Sequence, residues 1–307
     1  MSGYRRIAAP VRGGDLVAGV WEPEAEPVAT VLAVHGITAS HMAWPLVAEA
    51  LGDARVVAPD LRGRGGSRDL PGPWGMAQHA DDLARLLDAV GVESATVVGH
   101  SMGAFASVVF AHRHPGRLDG LVLVDGGLPL PRVEVDEDED VALRLIGPAA
   151  ERLRMAFPDR EHYRDFWRAH PAFAQAWSPM IERYVDYDLV GEEPALTASR
   201  SLAAVTADSL ELNDEAGYLD ALRGLDYPIP FLFAPRGLLD QPEALYPPDR
   251  VAHWQRLVPN LVVQEVPDVN HYTLIMTPRG AAAVAAVVRA VLENPTQSSP
   301  TRRRSPA

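Results

Sequence analysis

The residue best placed to do chemistry is Ser101, in Gly99-His100-Ser101-Met102-Gly103. A short apolar run, Ala95 to Val98, precedes it, and a helix-like run begins at Met102. A nucleophile on so tight a strand-to-helix turn needs small residues two positions away on either side, because larger side chains would collide there. Gly99 and Gly103 meet that need. The amides of the following helix would point at the place where negative charge develops during attack. A serine hydroxyl is a weak nucleophile at neutral pH, so it needs a base within hydrogen-bond reach and an acid to orient that base. Among the ten histidines, His271 is the one that follows the last strand-like run. Carboxylates at the ends of other strand-like runs are Asp125 and Asp240, and Asp268 stands three residues before His271. Ligands in open parallel sheets gather at such strand ends.

Composition removes other chemistries. The 307 residues are 47% hydrophobic, enough for one large α/β domain or two small ones with an ample core. There is no cysteine, which excludes disulfides, thiol nucleophiles and thiolate metal sites. There is no lysine among the 28 basic residues, which excludes a Schiff base and a lysine-bearing phosphate loop. A net charge of −13 argues against nucleic acid as the main partner. No apolar run approaches the roughly 20 residues of a membrane span, and Met1 to Arg12 lacks the apolar centre of a signal peptide. The expectation is a soluble cytoplasmic protein without metal or organic cofactor and without a membrane or nucleic-acid partner. Monomer and homodimer both remain open.

The elements that must hold these residues follow in order. Arg5–Ala9 and Asp15–Trp21 read as an edge hairpin, Val28–Val34 as a strand buried on both faces, and Ser40–Leu51 as a helix capped by Ser40. Arg55–Pro59 is a strand leading into the glycine-rich Asp60–Ser67, which lacks the spacing and the lysine of a phosphate loop. Met76–Val90 is an amphipathic helix stopped at Gly91, and Leu118–Val124 is a further buried strand. From Leu128 to Asp226 strand alternation disappears. This stretch opens with proline, carries six acids between Glu134 and Asp140, and continues as aromatic-rich helices. The acidic run reads as a solvated face. Strands return at Ile229–Ala234 and Leu261–Val266, with helices at Pro248–Leu257 and Pro278–Leu292 and a Pro/Ser-rich tail expected to be disordered.

The Gly-x-Ser-x-Gly elbow, His35-Gly36-Ile37 after a buried strand, Asp240 in a Gly-x-x-Asp-x-Pro setting and His271 together resemble the α/β-hydrolase family, over about residues 5 to 292. The resemblance implies an α/β fold: an eight-stranded, mostly parallel sheet flanked by helices, with a helical cap inserted after the sixth strand. The core would comprise 1–127 and 227–292, the cap 128–226 and the tail 293–307. It implies Ser101 as nucleophile, His271 as base, Asp240 as acid and the amides of Ile37 and Met102 as oxyanion hole. Asp125, where some members carry the acid, and Asp268 are the alternatives to Asp240. His35 would shape its loop without transferring protons. His41 and Trp44, near the start of their helix, could face a substrate. The function expected is a serine hydrolase cleaving a carboxylic ester or lactone, with an apolar or aromatic substrate favoured by the aromatic cap. The same triad also serves C–C bond, amide and perhydrolase chemistry, and a non-catalytic ligand-binding protein can share the fold. Haloalkane dehalogenases and epoxide hydrolases are similar but use an aspartate nucleophile, which Ser101 argues against.

Overall fold

In the computed structural model the described residues are 3–131, 144, 147–213 and 217–295. The acidic run 134–140 and the tail beyond residue 295 lie outside them.

Eight strands form one sheet: β1 (Gly3–Val11), β2 (Gly14–Glu22), β3 (Thr30–Val34), β4 (Arg55–Pro59), β5 (Ala95–His100), β6 (Leu118–Val124), β9 (Ile229–Phe233) and β10 (Leu261–Glu265). Their order is β1-β2-β4-β3-β5-β6-β9-β10. β1 and β2 pair antiparallel, as do β2 and β4, and every other pairing is parallel. The continuous apolar runs of the central strands are explained by burial on both faces. Val97 points into a core it shares with Leu83, Leu87 and Phe105, whereas its neighbour Val98 points into the opposite core with Trp44, Val284 and Val288. Helices α2 (Met76–Ala89) and α3 (Met102–Arg113) cover the first face, and α1 (Pro45–Leu51) and the helix Pro278–Glu293 cover the second.

One expected helix is divided. Ser40 opens a short 3₁₀ turn, His41–Ala43, without a side-chain cap, and α1 starts only at Pro45. Proline has no N–H to continue a helix, so it serves as a first residue instead. At the other end the last helix runs to Glu293, one residue past the expected tail boundary.

Between β6 and β9 the chain leaves the sheet. Its described part holds the helices Pro148–Arg154, Arg160–Arg168, Pro179–Tyr187, Leu202–Leu210 and Tyr218–Arg223, and the two-stranded ribbon β7 (Leu189–Val190) and β8 (Thr197–Ala198). Three of these helices begin with a side-chain cap, from Asp159, Ser178 and Ser201. Tyr163, Trp167, Phe173 and Tyr184 fill the interior of this insertion. Buried Asp188 ties it together through Arg152, Arg200, Tyr163 and Ser199. The insertion meets the sheet at the loops beyond the strand ends: Ser201 N donates to Gly63 O at 2.8 Å, and Tyr187 donates to Asp60 at 2.5 Å. Among the described residues no helix is long and apolar enough to cross a membrane.

Candidate active site

Ser101 sits between β5 and α3 with φ 55° and ψ −127°, a conformation non-glycine residues rarely adopt. Its surroundings enforce the strain. A Cβ on Gly103 would lie 2.2 Å from the Val34 carbonyl oxygen, and one on Gly99 would lie 2.5 Å from the Ala104 Cα. Gly126, just past β6, is equally constrained, since a Cβ there would come 2.1 Å from the Ser101 carbonyl oxygen. The Ser101 amide donates to Val124 O at 2.9 Å, which locks the turn to the end of β6.

That contact brings Asp125 beside the elbow. Asp125 is completely buried, and its amide donates to Leu232 O at 2.7 Å. Its carboxylate lies 2.7 Å from His271 Nδ1, and the Ala234 amide approaches its other oxygen at 3.4 Å. A carboxylate can only accept, so Nδ1 carries a proton, and in the neutral ring the basic nitrogen is Nε2. His271 is itself buried. His100, the residue before Ser101, donates from Nε2 to the His271 carbonyl at 2.9 Å, and the two rings lie 4.6 Å apart. Burial, reinforced by the neighbouring His271, holds His100 well below the ordinary histidine pKa, so it stays neutral.

Asp240 does not reach His271. The turn after β9 gives it φ 59° and aims its carboxylate at Arg236, 3.0 Å away, and at the Asn270 side chain, 2.9 Å away. Asn270 also donates to Ala172 O in the insertion and accepts from the Tyr272 and Thr273 amides. Asp240 therefore braces the loop one residue before His271, and the carboxylate on the imidazole is Asp125. Asp125 is held in place by the Ser101–Val124 and Asp125–Leu232 backbone bonds past β6, while Asp240 is drawn away to Arg236 and Asn270. In the sequence Asp125 stands among the carboxylates at strand-like ends, and nothing local ranks it above Asp240. Asp268 is exposed and pairs with Arg279 at 3.0 Å.

His41 and Trp44 do not line an open site. His41 is fully buried: its Nδ1 donates to Asp60 at 2.8 Å, and its Nε2 lies 2.8 Å from the Tyr4 hydroxyl. Burial alone would raise the Asp60 carboxyl, but the His41 and Tyr187 contacts outweigh it and hold it at about 2. Trp44 is sealed in the core under α1. His35 spans the loop: its Nδ1 meets Gly36 O at 2.7 Å, and its Nε2 accepts from the Leu61 amide at 2.9 Å. Burial pushes it down to about 3, so it is a neutral strut.

Ile37 lies in a turn closed by Ala39 N to Gly36 O at 3.1 Å, and Gly36 faces Ser101 so closely that a Cβ would stand 3.4 Å from its Oγ. Met102 opens α3, where first-turn amides have no acceptor within the helix. Among the described residues no cluster of three or more His, Asp or Glu side chains could hold a metal ion.

A family model for the alpha/beta hydrolase fold matches residues 29–158. Lipase LipV of Mycobacterium tuberculosis (strain ATCC 25618 / H37Rv) is 31% identical over 223 residues, covering 65% of this chain and 83% of the lipase. The chain belongs to the α/β-hydrolase family. RutD of Caulobacter sp. (strain K31), named as a carbamate hydrolase, is 40% identical over 117 residues, 37% of this chain; the match spans 44% of RutD. Among solved α/β hydrolases, E-2-(acetamidomethylene)succinate hydrolase superposes with a TM-score of 0.73 at 22% identity, over 95% of this chain and 98% of that one. This likeness is one of fold. The family's eight-stranded sheet is the one seen here, and it carries Ser101, Asp125 and His271 past three of its strands.

Proposed function

We propose that this α/β hydrolase cleaves a carboxylic ester or lactone through an acyl-enzyme on Ser101. The observation that carries the reading is the buried His271–Asp125 pair, 2.7 Å apart, on the loops that flank the strained elbow. His271 Nε2, left basic by the Nδ1–H bond to Asp125, takes the Ser101 proton as the hydroxyl oxygen attacks the carbonyl carbon. The Ile37 and Met102 amides receive the oxyanion. His271 returns the proton to the leaving alcohol, then activates the water that releases the acid. Asp125 keeps the imidazole in one tautomer and stabilises it when charged.

The insertion acts as a cap over this site. Tyr272, next to His271, packs against Phe173 at 5.3 Å and His170 at 6.1 Å, so the cap wall nearest the chemistry is aromatic. Such a wall suits an apolar or aromatic acyl or alcohol group, and the net charge of −13 disfavours polyanionic substrates.

The test is a screen of p-nitrophenyl esters and lactones of graded size, with a carbamate included because RutD is named for one. Labelling by a fluorophosphonate probe accompanies it. Turnover and labelling should both vanish in Ser101→Ala. Folded wild-type protein that is neither labelled nor active on any of these compounds would sink the proposal.

A further inference from the structure

Arg64 is fully buried in the glycine-rich loop after β4, and its guanidinium reaches four partners at once. Nε donates to the Ile37 carbonyl at 3.0 Å. Nη2 lies 3.8 Å from the Met102 sulfur. Nη1 donates to Arg62 O at 2.8 Å and pairs with Asp208. Asp208 belongs to the helix Leu202–Leu210 of the insertion and is also fully buried. It accepts from His79 Nε2 at 2.9 Å and from the Gly75 amide at 2.6 Å, so it is fully engaged from the sheet side. The helix itself rests on the Arg64 loop. Arg64 pairs with Arg200 as a β-bridge, and a Cβ on Gly63 would stand 2.4 Å from the Ala204 Cβ.

We propose that Arg64 is a positioning residue that carries the seating of the insertion to the oxyanion hole: Asp208 holds the guanidinium, and the guanidinium holds Ile37 and Met102, the two residues whose amides face the oxyanion. This rests on the acyl-enzyme reading above. Holding the Ile37 carbonyl fixes the Gly36–Ala39 turn, and with it the direction of the Ile37 amide. Transition-state stabilisation by backbone donors depends on their being fixed before charge develops. A well-seated insertion therefore raises kcat at a distance, while ground-state binding, which owes nothing to the oxyanion, is left alone. Arginine suits the task because its planar fork serves several acceptors at once, whereas a lysine ammonium can reach Asp208 or the Ile37 carbonyl but not hold both in geometry.

Removing one partner alone leaves a buried charge uncompensated and risks unfolding. The decisive protein is therefore the charge-balanced Arg64→Met/Asp208→Asn, checked by thermal melting and near-UV circular dichroism. With a p-nitrophenyl ester identified by the screen, kcat should fall about a hundredfold while KM stays within about threefold. Inhibition by a trifluoromethyl ketone, whose adduct carries the oxyanion, should weaken by the same factor as kcat. Arg64→Lys should recover much of the melting temperature but neither kcat nor ketone affinity. A folded double variant with kcat and ketone inhibition within about threefold of wild type would overturn the proposal, and so would an Arg64→Lys protein that recovers stability and kcat together. Ser101→Ala separates the two claims: wild-type turnover lost in that variant upholds the acyl-enzyme whatever Arg64 does. A wild-type protein without turnover would overturn both.

Discussion

His271 makes its short carboxylate contact with Asp125, and Asp240 spends its charge on Arg236 and Asn270. The two aspartates are thus separable by experiment. Asp125→Asn should lower kcat by about 10⁴-fold, because an asparagine can turn its amide toward Nδ1 and leave the imidazole in the wrong tautomer. Asp240→Asn should cost no more than about tenfold, since it disturbs only the brace behind His271. Equal losses in the two variants, by steady-state kinetics on one ester, would contradict this assignment. Trp44 supplies a second contrast. Its burial beneath α1 makes Trp44→Ala a stability variant, with an expected loss of about 3–5 kcal/mol in urea unfolding. The remaining folded protein should keep the wild-type KM, which a substrate-contacting tryptophan would not allow.

At the scale of elements, the site depends on three glycines where chain segments pass almost in contact. Gly103 faces the Val34 carbonyl, Gly126 faces the Ser101 backbone, and Gly99 faces α3. Gly126→Ala should therefore be as damaging as a change in the elbow motif itself. Its Cβ would meet backbone atoms, which cannot swing aside, so Ser101 would shift. The expected result is a loss of at least tenfold in kcat with about 1–3 kcal/mol of lost stability. Unchanged kinetics and melting in Gly126→Ala would show that the β6 loop can yield. The elbow glycines are legible because a motif names them. Gly126 is not, because its constraint comes from the neighbouring strand and not from its own turn. The division of the Ser40–Leu51 segment belongs to the same scale: apolar spacing marked a helix, but Pro45 decided where it could start.

Across the whole molecule, folding seals neutral imidazoles inside. Burial holds His35 at about 3 and His100 well below its ordinary value. Below a pH of about 6.5 the unfolded chain takes up protons that these folded sites refuse, so stability falls as pH is lowered. For each such histidine the slope is about 1.4 kcal/mol per pH unit until the folded pKa is reached. Asp60, held at about 2, adds a loss of the same sign below the ordinary carboxylate range, as pH drops toward its folded value. Urea midpoints should therefore decline steadily between about pH 6.5 and 4. The decline should be shallower in His35→Gln, whose amide cannot be protonated. A flat or rising profile over that range would contradict the neutral-histidine interior. The role of Arg64 is not written in the sequence near it: its partner Asp208 stands 144 positions away, in a segment without a recognisable motif.

The strands, their parallel character, the strand-to-helix turn at Ser101, the place of His271 after the last strand and the family itself were all readable from the sequence. Each is expressed locally, as a run of apolar residues, a glycine at a fixed offset or a residue just past a strand. Which carboxylate meets His271, the burial of His41 and Trp44, and the reach of Arg64 appeared only in three dimensions. Those depend on which strand lies beside which, and on what packs over the strand ends. Asp125 and Asp240 end strands of similar composition. Only the contacts past the strand ends set the first against His271 and turn the second to Arg236 and Asn270.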